Sequence, residues 1–117
     1  MSRSTDSAET GGDVPGCGRE ALARLDHLLR DHPAQLAAEL TDAVRAVVGL
    51  RDAMIARRNR AGRATAIDQR LERVNGVLSA LISNEFPLTG VRWQRIERAR
   101  DALRDILAEE DAAARGG

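Results

Sequence analysis

Apolar residues recur at alternating four- and three-residue steps through two consecutive stretches of this chain. The first is Leu36, Leu40, Ala43, Val47, Leu50 and Met54; the second is Ile67, Leu71, Val74, Leu78 and Leu81. A mean step of about 3.5 keeps one stripe of each helix turned toward its neighbour, so the pattern predicts an antiparallel helical hairpin turning near Gly62. Register about that turn brings Met54 to Leu71, Leu50 to Val74 and Val47 to Leu78. Asn75 and Gly76 would ordinarily signal a turn, but the apolar phase is unbroken on either side of them, which predicts a helix running through.

The first rod is expected from Pro33, a residue suited to a first helical position with Asp31 or His32 as cap, to about Arg58. The second is expected from Thr65, with Asp68 in its first turn, to about Asn84, ahead of Pro87. Before them, Leu22, Leu25, Leu28 and Leu29 predict a short helix from about Arg19 to Asp31, supported by acid-before-base pairs Glu20–Arg24 and Asp26–Arg30. After Thr89 and Gly90, a last helix to about Ala113 would turn Trp93, Ile96, Ala99, Leu103, Ile106 and Leu107 inward. The acidic run Glu109 to Asp111 opposes the helix dipole and predicts fraying there. The expected fold is all-α: an up-and-down antiparallel bundle of three long helices plus a short N-terminal one, in a single domain over 19–113. Met1 to Gly18, polar and small, is expected to be a disordered tail.

Length allows one domain and one core. Acidic and basic residues balance at 18 each, which disfavours a chain that grips nucleic acid by overall charge. All the basic residues are Arg, which excludes lysine Schiff-base and lysine-nucleophile chemistry. The single Cys17 permits no internal disulfide and disfavours a thiolate zinc site. With no apolar run of signal-peptide or membrane-span character, the expected location is cytoplasmic, without membrane association.

His27 and His32 are five apart, so they do not share a helix face, and no Glu-x-x-His motif accompanies them; no metal or cofactor is expected. Ser79 and Ser83 have no neighbouring histidine, and Cys17 falls in the expected tail, so no catalytic set is legible. Arg57, Arg58, Arg60 and Arg63 form a basic run. It complements the negative end of a helix, and it also fits an anion contact. Phe86 and Trp93, the only aromatics, flank the last connection, where they would plug one end of the bundle or anchor a partner. Gly49 and Gly76 lie off the hairpin seam, where a close approach by another helix or subunit would account for them.

A second stripe on the first rod, Val44, Val48 and Ile55, exceeds what one partner helix covers, so a third helix or a second chain is expected against it. The favoured reading is therefore a non-enzymatic interaction or adaptor module, self-associating as a homodimer, with Val44, Val48, Ile55, Phe86 and Trp93 as the interface. The alternative is a regulator binding nucleic acid or another polyanion through the Arg57 to Arg63 turn. The third reading is a ligand-binding or enzymatic bundle using buried arginines. In size, helicity and arginine content the chain resembles the small helical chorismate mutases, although it lacks the lysine that such sites generally use.

Overall fold

The computed structural model describes residues 13–61, 65–85 and 92–116. Four helices account for nearly all of them: α1 (Val14–Asp31), α2 (Leu36–Ala61), α3 (Thr65–Glu85) and α4 (Trp93–Gly116). The fold is an all-α helical bundle, as the hydrophobic pattern predicts. α1 packs on α2 and α4, and α3 packs on the same two, so the helices close a ring, and Arg57 of α2 reaches across it to Glu110 of α4.

The predicted stripes form the core. Leu40, Ala43, Val47, Leu50 and Met54 of α2 are buried together with Leu71, Val74, Leu78 and Leu81 of α3 and Ile96, Leu103 and Ile106 of α4. α3 is continuous through Asn75 and Gly76, because the apolar phase on both sides outweighs the local turn preference. Pairing across the bundle fixes direction. Gly18 meets Leu107, Asp26 meets Arg100 and His32 meets Trp93, so α1 and α4 run in opposite senses. Arg73 with Glu109 and Arg95 with Ser83 do the same for α3 and α4.

The first helix ends at Asp31 as expected, but its start departs from the expected boundary. The helix begins at Val14, so Val14 to Gly18 are helical where a tail was expected. Asp13 is the reason: its carboxylate accepts from the Gly16 amide at 3.1 Å, with proline in the first turn, a favourable start for a helix. The resulting eighteen-residue α1 is a full member of the ring rather than a short appendage. Gly18 is one of its contact points, since a β-carbon there would come within 2.4 Å of Leu107 Cδ2. Residues 1–12 lie outside the described residues.

His32, expected as a possible cap for the next helix, instead ends α1. Its backbone is left-handed, with φ 44°, and its amide donates to the Leu28 carbonyl at 3.0 Å. That conformation, followed by the fixed φ of Pro33, turns the chain, and α2 starts at Leu36 after a turn at Ala34 and Gln35. α2 then continues to Ala61, and α4 stays helical through its acids to Gly116, where Glu109, Glu110 and Asp111 each pair with arginine.

Candidate functional site

Most charged residues singled out in the sequence are used inside the bundle. Glu110, only 6 % exposed, receives the guanidinium of Arg57 at 2.6 Å and that of Arg70 at 2.7 Å. Three helices thus meet on one carboxylate, and Arg70 is itself only 11 % exposed. Arg73 reaches Glu109 at 2.7 Å, Arg115 pairs with Asp111 at 2.8 Å, and Arg58 lies 3.3 Å from Asp68. Of the basic run, Arg57 and Arg58 therefore tie α2 to its neighbours, Arg60 is exposed, and Arg63 lies outside the described residues. The cluster at Glu110 had a signal in the sequence. Glu110 stands four residues after Ile106 and seven after Leu103, in phase with the apolar face, where a carboxylate requires cationic partners.

The histidines are likewise structural. His27 lies 2.8 Å from the Asp31 carboxylate and 2.9 Å from that of Glu39, which links α1 to α2. His32 stacks on Trp93 with ring centroids 3.8 Å apart and planes within 4°. Trp93 is half-buried against the core, so it closes that end of the bundle; Phe86 lies outside the described residues. Among the described residues no three His, Cys, Asp or Glu side chains gather as a metal site would require.

Asp26 does not pair with Arg30. It reaches Arg100 of α4 at 2.6 Å, and Arg100 also holds Asp101 at 2.8 Å. Hydrogen bonding to Arg100, assisted by Arg104, keeps the Asp101 carboxyl below the ordinary aspartate range. Cys17, expected in a loose tail, sits half-buried in the first turns of α1. Its thiol is pushed up, first by burial and then by the nearby charges of Asp13 and Glu20, which suppresses the nucleophilic thiolate.

The surplus stripe on α2 is largely absorbed by the fold. Val44 is buried, and Val48 and Ile55 pack half-buried against the core, with α1 and α3 flanking the helix. Gly49 and Gly76 do not mark close approaches either, because a β-carbon at either position meets open space within the chain.

An open apolar face lies between α3 and α4. A groove of about 630 Å³ runs there, floored by Gly76, Val77, Ala80, Ala99 and Ala102 and edged by Ser79, Ser83, Arg73, Arg95 and Arg98. Small residues on the flank of each apolar stripe create it, since none is long enough to fill the space between the two helices. Arg95 lies across one end and donates to the Ser83 hydroxyl at 3.1 Å, which in turn donates to the Ala80 carbonyl at 2.9 Å. Beside Ser79 on the outer flank, Ile82 is 48 % exposed, the one exposed large hydrophobic among the described residues. This face was not singled out from the sequence. Its signal is the spacing of small residues, Gly76 with Ala80 and Ala99 with Ala102, which places each pair on one helix face.

A smaller recess of about 360 Å³ lies between the start of α1 and the ends of α2 and α4, with Arg57 and Glu110 in its wall. Their charges offset one another. No helix among the described residues is long and apolar enough to cross a membrane. Comparison with protein-family models finds no match, and neither curated proteins nor solved structures provide a significant relative.

Proposed function

We propose that this protein is a protein–protein interaction module that works through its α3–α4 face and performs no chemistry of its own. The observation that carries the reading is the open apolar groove on that face, walled by small residues and edged by arginine. An exposed apolar concavity that helices can enter closely is a feature of helix-docking surfaces. The polyanion reading draws less support, because Arg57 and Arg58 already face Glu110 and Asp68. The ligand or enzyme reading draws less as well, since the most buried arginine, Arg70, is neutralised by Glu110.

Position-specific photo-crosslinking tests the proposal. A photoreactive residue at Ala80, in the groove, is expected to give polypeptide adducts in native extract, whereas the same residue at Ala38 on the exposed side of α2 gives none. Adducts to RNA or lipid, or no difference between the two positions, would contradict it.

A further inference from the structure

The charges along the α3–α4 groove are unevenly distributed. At the Ser83 end stand Arg95 and Arg98, both exposed. Among the described residues Arg95 is held only by a neutral hydroxyl, and Arg98 has no ion-pair partner. Beyond the other end stand Glu72, one helical turn before Gly76, and Asp105, one turn after Ala102. Both are exposed, and neither has a partner among the described residues. Uncompensated charges of opposite sign thus flank one apolar floor, while the chain as a whole carries no net charge.

That arrangement selects an occupant. We propose that a second copy of this chain docks groove to groove, with the two-fold axis lying in the interface and perpendicular to α3 and α4. This inference rests on the interaction reading above and names its partner. An axis parallel to the helices would set the basic end of one copy against the basic end of the other, at a cost from like charges. The perpendicular axis reverses α4 against α4 about Ala102. Arg98 then faces Asp105 of the second copy two turns along. Arg95, lying over toward Ser83, faces Glu72 of the second copy. Each contact occurs twice, as an isologous interface requires. Gly76, Ala80, Ala99 and Ala102 allow the backbones to approach, which explains an open position at Gly76.

The face is about 20 Å wide, two helix diameters, and about 20 Å long, so its footprint is of order 400 Å² per copy, the size of a weak, exchanging contact. Long-range attraction between exposed charges makes that contact salt-sensitive.

Sedimentation equilibrium of the full chain provides the test. At low salt, the weight-average mass is expected to rise from monomer toward dimer as concentration increases from about 1 to about 500 μM, and to fall back at about 0.5 M salt. The double variant R95E/R98E and the double variant E72R/D105R are each expected to remain monomeric. Their equimolar mixture is expected to recover dimer, because the two faces become complementary at both ends. All four positions are exposed, and helical content by circular dichroism verifies folding of each variant. A wild type that stays monomeric throughout, or double variants that dimerise as wild type does, would overturn the proposal. So would a mixture that fails to associate. A monomeric wild type that still gives position-specific polypeptide adducts at Ala80 would overturn the second-copy assignment while leaving the interaction reading in place; absence of those adducts would remove both.

Discussion

At the scale of single residues, Glu110 is the one buried charge among the described residues. Removing a buried carboxylate that neutralises two guanidinium groups leaves Arg70 nearly buried without a counter-charge, and such losses cost about 3 kcal/mol. Glu110→Ala is therefore expected to lower the unfolding free energy by about that amount in urea titrations, and Glu110→Gln by less, since the amide oxygen still accepts one hydrogen bond. The glycines predict the opposite sign. Gly49 and Gly76 have open space around an added methyl, so Gly49→Ala and Gly76→Ala should each stabilise the monomer by up to about 1 kcal/mol. Asp101 gives a pH dependence. Its folded-state carboxyl is lowered, so its contribution is in place above the ordinary carboxylate range near pH 4 and is lost as pH falls through the lowered folded value. Wild type should lose more stability than Asp101→Asn across that acid window, by an amount kept small by exposure.

At the scale of elements, the ends of α1 show what the sequence could and could not convey. The interior of each helix was legible, because period and burial are the same information: the predicted stripes of α2 and α3 are core residues from Leu40 and from Leu71 onward, while Leu36 and Ile67 at their starts are half-buried. The start of α1 was obscured by its glycines, which suggest flexibility, although Asp13 and Pro15 specify a capped first turn. Asp13→Ala should cost about 1 kcal/mol and fray that turn, as faster amide exchange at Gly16 and Cys17 would reveal. The end of α1 at Asp31 was legible ahead of Pro33, but the part played by His32 depended on tertiary context. A left-handed His32 is unremarkable locally, but its stacking on Trp93, more than sixty positions away, was not visible in local patterns. Acids near the end of α4 misled for the same reason. A dipole argument considers one helix, and the partners Arg57, Arg70 and Arg73 come from two others.

At the scale of the whole molecule, ring closure reassigns the surface. The α2 stripe expected to seek a partner is largely enclosed by the chain's own helices, and the open face moves to α3 and α4, where small residues leave the seam unfilled. A core face announces itself by large apolar residues at helical spacing, whereas a groove is defined by what is missing between two helices far apart in sequence. The fold was thus readable from single-helix periodicity, and the site was not. In the proposed dimer Ala102 lies at the two-fold contact between copies. Mild oxidation of Ala102→Cys in a Cys17→Ser background tests it most directly, because residues near such an axis bring their side chains within disulfide reach. A covalent dimer is expected to form readily at low salt and to be suppressed by R95E/R98E, while Ala38→Cys in the same background stays monomeric; equal cross-linking at the two positions would contradict the two-fold contact.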